Sequence, residues 1–262
     1  MSKKTYQGIL ADLDGTVHRG RVLMPGVAAA YRDLTRKGIR WVFVSNGATS
    51  LSSDIAERLR GLGLDVRQDQ VVNSATALIN ALRAHEMRTR VMVIGEPRLI
   101  EGIEDAGVEI TEDPSGSDIV VVALDTGFSY EKLRRAHLAL QRGALFWATN
   151  TDASFPASHG FLPGAGSIVA AVATASGRPP DRVFGKPSRD MAETALDRLN
   201  VEAESCLMVG DRIETDIVFA KNAGIDSALV LTGASTRQDL ARSSHQPDYV
   251  FDDMSGIVGL FR

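Results

Sequence analysis

Four short segments of the sequence carry side chains that together suit the transfer of a phosphoryl group. In chain order they are Asp12-Leu13-Asp14-Gly15-Thr16, Ser45-Asn46, Lys186-Pro187, and Gly210-Asp211 with Asp216. They supply a carboxylate that can attack phosphorus, a second that can carry a proton, a hydroxyl, an amide, an ammonium group and acidic metal ligands. This set predicts a phosphate site that works through an aspartate and Mg²⁺.

Asp12 and Asp14 are the predicted catalytic pair. They stand two residues apart after an apolar run, and alternate residues of an extended strand point the same way. One carboxylate can form an aspartyl phosphate, while the other protonates the leaving oxygen and later deprotonates water. Because neighbouring carboxylates raise one another's proton affinity, this spacing favours one of them acting as the acid.

The predicted phosphate-binding side chains come from the other three segments. Ser45 and Asn46 can donate hydrogen bonds to phosphate oxygens. Lys186 precedes a predicted helix, where an anion is already favoured, and is expected to act catalytically by neutralising charge on the nucleophile and the phosphoryl group. Arg212 and Thr215 follow the same strand as Asp211 and are expected to line the same mouth.

Four acids form the predicted metal site: Asp12, Asp14, Asp211 and Asp216. Mg²⁺ usually takes one or two carboxylates together with water and phosphate oxygens. We expect Asp211 to bind the ion directly. Asp216 is expected either to act through water or to serve as a negative charge at a helix start.

The elements that must position these side chains alternate along the chain. Apolar runs at Gly8–Leu13, Ile39–Val44 and Cys206–Val209 are predicted to be buried strands. Helices are predicted at Val27–Arg36, Tyr130–Gln141, about Arg189–Leu199 and Thr215–Ala223. Short continuous apolar strands spaced by helices predict an α/β fold with a parallel sheet covered on both faces. Ligands of such sheets bind beyond the carboxyl ends of the strands, which is where Asp12, Ser45 and Asp211 stand.

The middle of the chain is predicted to be an inserted second αβ unit. Residues 1–81 and 179–262 are expected to form a Rossmann-like catalytic core, and residues 82–178 a cap that selects substrate. The predicted cap contains none of the four segments, and such insertions commonly act as lids. Its loop Asn150–His159 lies near the return to the core, so Asn150 and Asp152 are predicted substrate contacts.

Composition and charge limit the classes of partner that the protein is expected to bind. The chain has 262 residues and a net charge of −4, without a basic cluster for nucleic acid. The single cysteine, Cys206, lies in an apolar run and favours a reducing cytoplasm. Neither a signal peptide nor a membrane span is predicted. The expected partner is a small-molecule phosphate ester, with no nucleic acid or membrane, and a homodimer is left open.

Two other features of the sequence are read as structural. The segment Pro163-Gly164-Ala165-Gly166-Ser167 superficially resembles a phosphate loop, but it lacks the lysine of a Walker motif and favours a hinge or helix start. The five histidines show no metal-ligand spacing and are predicted not to bind metal. His159 lies in the loop that joins the predicted cap to the core and, like Asp152, is a candidate substrate contact.

The four segments resemble the four motifs of the haloacid dehalogenase superfamily, and the resemblance covers the whole chain. Further segments resemble its class IIA branch of nucleotide monophosphatases, 4-nitrophenyl phosphatases, phosphoglycolate phosphatases and pyridoxal phosphatases: Ala148-Thr149-Asn150, Gly164-Ala165-Gly166, Gly185-Lys186-Pro187-Ser188 and Thr215-Asp216-Ile217. Two positions depart from that branch, Gly47 where a second asparagine is common and Thr151 where proline is common. Both are expected to affect specificity more than chemistry.

The resemblance implies a Rossmann-like core, an αβ cap between the second and third motifs, and Mg²⁺. It implies Asp12 as the nucleophile, with its other oxygen and the Asp14 carbonyl on the metal. It also implies Asp14 as general acid and base and Asp211 as a metal ligand.

The leading prediction is a Mg²⁺-dependent phosphomonoester phosphatase acting on a nucleotide monophosphate, a sugar phosphate, phosphoglycolate or pyridoxal phosphate. A dehalogenase would not need Asp14 or the metal acids. A phosphomutase also uses an aspartyl phosphate and stays open. A non-enzymatic phosphate-sensing domain stays open too, although receiver domains of that kind are about half this length and lack the insertion.

Overall fold

The computed structural model describes residues 5–85, 89–157 and 160–261. The chain forms two compact units. The first consists of the residues up to Ser45, Ser52–Val72 and the residues from Lys186 onward, and the second of Asn46–Leu51 and Asn73–Gly185. The catalytic role predicted for residues 1–81 and 179–262 stays a prediction. So does the substrate-selecting role predicted for residues 82–178. His159 lies outside the described residues.

Strands and helices alternate through most of the chain. The strands are β1 Gly8–Asp12, β2 His18–Arg19, β3 Val22–Leu23, β4 Arg40–Ser45, β5 Val71–Asn73, β6 Arg90–Ile94, β7 Glu109–Ile110, β8 Ile119–Val122, β9 Leu145–Ala148, β10 Ser154–Ala157, β11 Gly160–Pro163, β12 Arg182–Val183, β13 Cys206–Gly210, β14 Asp226–Val230 and β15 Tyr249–Phe251. The helices are α1 Val27–Arg36, α2 Ser52–Gly61, α3 Ser74–Ala84, α4 Pro97–Asp105, α5 Tyr130–Gln141, α6 Ala165–Ser176, α7 Arg189–Leu199, α8 Val218–Ala223 and α9 Arg237–Arg242. Among the described residues, no helix combines the length and apolarity needed to cross a membrane.

The first unit is built on a six-stranded sheet in the order β15-β14-β13-β1-β4-β5. The neighbours from β15 to β4 pair in parallel. Every residue of β1 and β13 is buried, as expected for parallel strands covered on both faces. On one face Tyr31 of α1 packs against Trp41 and Phe43 of β4, with ring centroids 5.4 and 6.0 Å away. The predicted parallel core sheet is confirmed.

Strand register sets the polar residues of the first unit at one edge of this sheet. Ala11 pairs with Val209 of β13, and Asp12 pairs with Val44 of β4. The residues that follow these pairs, Ser45 on β4 and Asp211 after β13, therefore leave the sheet at the same end as Asp12. This is the edge where parallel α/β sheets bind their ligands.

The second unit has its own five-stranded sheet, in the order β12-β9-β8-β6-β7, with every neighbouring pair parallel. Its core is formed by β-branched and aromatic side chains such as Val120, Val122 and Phe146, which pack against α5 and α6. The antiparallel hairpin β10–β11 exposes Phe161 and Leu162, and it was not among the predicted strands.

Local differences from the predicted elements have physical causes. The predicted helix from Thr215 to Ala223 is divided into a wide π-helical turn, Ile213–Ile217, and the regular helix α8. The backbone nitrogens of Arg212 and Ile213 bond to the side chains of Asp216 and Ser235. The first backbone nitrogens of the turn therefore bond to side chains. Single π-helical turns of this kind are frequent at functional sites.

Candidate active site

A buried ammonium group joins two carboxylates of the first unit. Lys186 Nζ donates a hydrogen bond to Asp12 Oδ1 and another, at 2.8 Å, to Asp216 Oδ1. The three residues are at most 8% exposed. Lys186 stands just before α7, whose first turn is capped by Ser188, so its backbone leads directly into a helix. Two acids compensate the burial of this cation, as a charge taken out of water requires.

Asp12, Asp211 and Asp216 form a buried acidic trio, each offering an oxygen within 4.8 Å of the others. Burial raises the pKa of Asp12 well above its ordinary value, Asp216 and Asp211 raise it further, and Lys186 opposes them. Burial raises the pKa of Asp211 as well, with a further contribution from Asp216. When all three acids are ionised, the single ammonium group leaves excess negative charge in a buried place. The donor set and its charge therefore fit a hard divalent cation.

Burial also acts on the pKa of Lys186. On its own it would lower that pKa, but the charges of Asp12 and Asp216 and their hydrogen bonds outweigh it and raise the pKa above the ordinary lysine value. Lys186 is therefore charged at neutral pH, and its ammonium group bonds directly to Asp12, the predicted nucleophile.

The two carboxylates after β13 are fixed by donors of different kinds. Asp211 Oδ1 accepts from the Thr16 hydroxyl at 3.3 Å, and Oδ2 accepts from the Ala234 nitrogen at 2.5 Å. Asp216 Oδ2 accepts from the backbone nitrogens of Asp211 and Arg212 at 3.1 and 3.0 Å. Nitrogen donors thus bond to both oxygens of Asp216, and whether it binds the ion directly or through water stays a prediction.

Three glycines leave room for these carboxylates. A Cβ on Gly15 would lie 2.6 Å from Asp211 Oδ2, and Gly15 has a positive φ of 95°. A Cβ on Gly233 would overlap the Asp211 carboxylate, and one on Gly210 would overlap Asp216. Side chains at these positions would push the acids out of place, so the cradle depends on glycine.

Asp14 is not one of the three acids of the buried trio. Its side chain is 66% exposed, whereas Asp12 is buried. β1 ends at Asp12, and the chain turns at Gly15, whose nitrogen donates to His18 O at 2.9 Å. The alternation of an extended strand therefore stops before Asp14. A metal contact through its carbonyl and its role as acid and base stay predictions.

His18 lies beside Asp14, a neighbour that the sequence did not single out. Its Nδ1 atom is 3.8 Å from Asp14 Oδ1, and the ring is almost fully buried. Neither ring nitrogen has a hydrogen-bond partner within the described part of the chain. Burial lowers the pKa of His18, against the attraction of Asp14.

The other predicted phosphate contacts of the first unit occupy the same end of the sheet. Ser45 is buried at the end of β4. Arg212 and Thr215 are half-buried, one before and one inside the π-helical turn. Their contacts with a phosphate ester stay predictions.

In the second unit Asn46, Asn150 and Asp152 lie together. Asn46 Nδ2 donates to Asp152 Oδ2 at 3.0 Å, and Asn150 Nδ2 donates to the Asn46 carbonyl at 2.8 Å. Asn150 Oδ1 accepts from the Asp152 nitrogen at 3.1 Å. Asn150 thus uses both ends of its amide inside the protein, and substrate contact by these residues stays a prediction.

Sequence reasoning missed the loop after β14. Thr232 Oγ1 donates to Gly15 O at 2.6 Å, Ala234 donates to Asp211, and Ser235 accepts from the Ile213 nitrogen at 3.1 Å. The segment Thr232-Gly233-Ala234-Ser235 also follows an apolar strand of the parallel sheet. The rule that found Asp12, Ser45 and Asp211 would have found it too.

Known proteins match this chain along both its sequence and its fold. The family described as haloacid dehalogenase-like hydrolase matches residues 9–109, and the one described as HAD-hydrolase-like matches residues 183–257. The chain is 37% identical to the acid sugar phosphatase of Staphylococcus epidermidis over 255 residues, which cover 97% of this chain and 98% of that protein.

Solved structures agree with these matches. The 4-nitrophenylphosphatase from Thermotoga maritima has a TM-score of 0.91 and 35% identity, with 97% of each chain covered. The glycerol phosphate phosphatase from Mycobacterium tuberculosis, in complex with magnesium, has a TM-score of 0.87 and 34% identity, covering 95% of this chain and 75% of that one. The predicted family and enzyme class are confirmed: this chain belongs to the haloacid dehalogenase-like hydrolases of the class IIA type and is a phosphatase.

Proposed function

We propose that the protein hydrolyses small sugar phosphates through a phosphoaspartate on Asp12, with Mg²⁺ as its cofactor. The observation that carries this proposal is the buried cluster at the carboxyl edge of the first sheet, where Lys186 bonds to Asp12 beside Asp211 and Asp216. The sugar phosphate is supported by the acid sugar phosphatase relative, and Mg²⁺ by the magnesium complex of the mycobacterial phosphatase.

The reaction divides into two displacements at phosphorus. In the first, a carboxylate oxygen of Asp12 forms a bond to phosphorus as the ester P–O bond breaks, and Asp14 gives its proton to the departing alcohol oxygen. In the second, Asp14 takes a proton from water, the water oxygen bonds to phosphorus, and the bond to Asp12 breaks. Inorganic phosphate leaves, and both aspartates return to their starting states.

Charge is what the surrounding residues contribute. The positive charge of Lys186 offsets the negative charge of the nucleophile and of the phosphoryl oxygens. Ser45 donates a hydrogen bond to the same oxygens. Mg²⁺ held by Asp12 and Asp211, with Asp216 behind them, would supply the positive charge that lets an anionic ester approach these acids. The Asp14 carbonyl is the additional ligand that the family resemblance implies.

Substrate selection belongs to the second unit in this proposal. Thr151 and Asp152 precede the hairpin β10–β11, and their polar groups suit sugar hydroxyls. Asp152→Asn keeps an oxygen that can accept from Asn46 but removes the charge. It should change the ranking of substrates while phosphate release from 4-nitrophenyl phosphate persists.

The proposal extends to the partners of the protein and to its location. The ligand is a small phosphorylated molecule, and neither nucleic acid nor membrane is a partner. We propose a cytoplasmic location, which suits the single buried Cys206. A homodimer stays open as an oligomeric state.

A phosphate-release screen tests the function. The panel contains sugar phosphates, 4-nitrophenyl phosphate, nucleotide monophosphates, phosphoglycolate and pyridoxal phosphate, with Asp12→Asn as the background control. Sugar phosphates should give the highest kcat/KM among the biological esters. Absence of release from every ester would refute the proposal, and transfer of the phosphoryl group between sugar positions would indicate a mutase instead.

A further inference from the structure

Five side chains tie together distant stretches of the second unit. These residues, which we call the amide clasp, are Asn46, Asn73, Ser74, Asn150 and Asp152. At its centre is the carbonyl oxygen of Asn46, which accepts from Asn150 Nδ2 at 2.8 Å and from Ser74 Oγ at 2.7 Å. Asn73, Ser74 and Asn150 are nearly or completely buried. The segment after β4, the start of α3 and the end of β9 are thereby held in one place.

The clasp also fixes the residues that follow Asn46. Asn73 Nδ2 donates to the carbonyls of Gly47 and Ser50 at 2.9 and 2.7 Å. Its Oδ1 atom caps α3 by accepting from Thr76 N at 2.9 Å. The short stretch Asn46–Leu51, which belongs to the second unit, is therefore held by side chains rather than by a sheet.

Gly185 lies directly against the same residues. A Cβ on Gly185 would be 2.7 Å from Asn150 Cβ, 2.8 Å from Thr149 O and 2.9 Å from Asn46 Oδ1. Asn150 thus touches two backbone positions of the second unit, Asn46 through a hydrogen bond and Gly185 through packing.

Each of these positions is one peptide bond away from a predicted phosphate-binding residue. Ser45 precedes Asn46, and Lys186 follows Gly185. The two backbone positions that Asn150 contacts are therefore covalent neighbours of Ser45 and Lys186. Misplacing catalytic groups by about 1 Å can cost roughly a hundredfold in rate.

We propose that Asn150 is a positioning residue: its amide fixes the Asn46 carbonyl and the Gly185 backbone, and through them orients Ser45 and Lys186 towards the phosphoryl group. The inference rests on the proposed function, which assigns Ser45 and Lys186 to that group. It gives Asn150 a role different from substrate recognition, because both ends of its amide are engaged within the protein. Aspartate could not replace it, since a carboxylate has no donor for the Asn46 carbonyl.

The main test is Asn150→Asp, which keeps the volume and the acceptor for Asp152 N. The kcat should fall by roughly ten- to a hundredfold. The factor should be the same for 4-nitrophenyl phosphate and for a sugar phosphate, because Ser45 and Lys186 serve the part that the two esters share. The inhibition constant of inorganic phosphate should rise, and partial unfolding would not produce that change, because the remaining folded enzyme would bind phosphate normally.

Ser74→Ala provides a second variant that keeps a buried, well-packed side chain. It removes the other donor to the Asn46 carbonyl and should act in the same direction, with a smaller effect. The combined variant should lose less than the product of the two single losses, since both donors hold one oxygen. Losses that multiply independently would overturn the proposal.

Asp181→Asn is the matched control. Asp181 Oδ2 accepts from the Phe146 nitrogen at 2.6 Å, so this change also weakens a side-chain-to-backbone bond of the second unit, but outside the clasp. It should lower the melting temperature while leaving kcat and the phosphate inhibition constant unchanged.

The outcomes separate the two proposals. Wild-type protein that releases no phosphate from any ester contradicts the proposed function. Active wild-type protein with an unchanged kcat and phosphate inhibition constant in Asn150→Asp overturns the positioning role alone. Losses that differ between the two esters also overturn it, because Asn150 would then read the substrate.

Discussion

Asp216 holds the backbone of Asp211, with its Oδ2 atom 3.1 Å from the Asp211 nitrogen. The other oxygen of Asp216 accepts from Lys186 at 2.8 Å. One carboxylate therefore links the start of the loop after β13 to the ammonium group that contacts the predicted nucleophile. Asp211, in contrast, receives a weak hydroxyl contact at one oxygen and a backbone nitrogen at the other. The two acids of this segment therefore differ in their donors: Asp216 accepts from nitrogen at both oxygens, and Asp211 at one.

The first prediction concerns the metal. A chelator should abolish phosphate release and Mg²⁺ should restore it, while Ca²⁺ substitutes poorly because it prefers more ligands. Asp211→Asn should raise the Mg²⁺ concentration for half-maximal activity by about tenfold or more. Asp197→Asn, on the exposed face of α7, is the control and should leave the Mg²⁺ titration unchanged. Full activity in metal-stripped protein would contradict the site.

The second prediction concerns the nucleophile. Asp12→Asn removes the attacking oxygen and should lower turnover by several orders of magnitude. Circular dichroism and a melting curve should show that the variant is folded. Acid-quenched wild-type protein should carry a phosphoryl group that the variant lacks. A folded variant that turns over normally would rule out Asp12.

The third prediction separates two cations. Lys186→Met should lower kcat on every ester by at least about a hundredfold, because it removes a charge at the phosphoryl group. It should also destabilise the protein by about 3–5 kcal/mol, since Asp12 and Asp216 lose their buried partner. Arg212→Ala should affect substrates unequally, because Arg212 is expected to contact the leaving group, which differs between esters. Equal losses for both variants on all substrates would show that this division of roles is wrong.

The fourth prediction compares two glycines of the first unit with positive φ, Gly15 at 95° and Gly38 at 82°. An alanine at either position costs roughly 1–2 kcal/mol of backbone strain. A Cβ on Gly38 meets nothing within 4 Å, whereas one on Gly15 meets the Asp211 carboxylate. Both variants should therefore melt earlier, but only Gly15→Ala should need more Mg²⁺. A normal Mg²⁺ titration in Gly15→Ala would contradict the cradle.

The fifth prediction concerns stability at alkaline pH. Burial raises the pKa of the Cys206 thiol to about 12, whereas an unfolded cysteine has a pKa of about 8.5. Between these values the unfolded chain has lost the proton that the folded chain retains. Cys206 should therefore lower the free energy of unfolding by about 1.4 kcal/mol per pH unit in this range, and have no such effect below it.

Urea unfolding of the wild type and Cys206→Ala between pH 7 and 10 measures this contribution. The alanine variant starts less stable because it leaves a cavity, but its stability should decline less steeply above pH 8.5. Identical slopes would show that the thiol titrates alike in both states. Iodoacetamide should label Cys206 only in unfolded protein, because the folded side chain is buried.

Much of the fold was predictable because its strands are short, apolar and bounded by turn residues. The helices Val27–Arg36, Tyr130–Gln141 and Arg189–Leu199 have the predicted bounds. Hydrophobic periodicity and terminal signals were sufficient there. The hairpin β10–β11 was not predictable in this way, because Phe161 and Leu162 are exposed and give no buried-face pattern.

The site shows a similar division. Position at a strand end was enough to place Asp12 and Asp211 together, because register in a parallel sheet is regular. The direction of the Asp14 side chain depends on how the chain turns after β1. The alternation of side chains along a strand does not apply there, because β1 ends at Asp12. The side-chain bonds of Asn150 join residues distant in sequence, so no local pattern could reveal them.

The pairing of β1 with β13 also bears on synthesis, since it sets Gly8 opposite Cys206. A ribosome releases the chain from its N-terminus, so β1 and β4 emerge long before β13, β14 and β15 exist. Residues 73–185 can complete their own parallel sheet during this interval. One edge of β1 therefore lacks its partner strand for as long as β13 has not emerged. This apolar edge can be covered only after the ribosome has synthesised and released Cys206–Gly210.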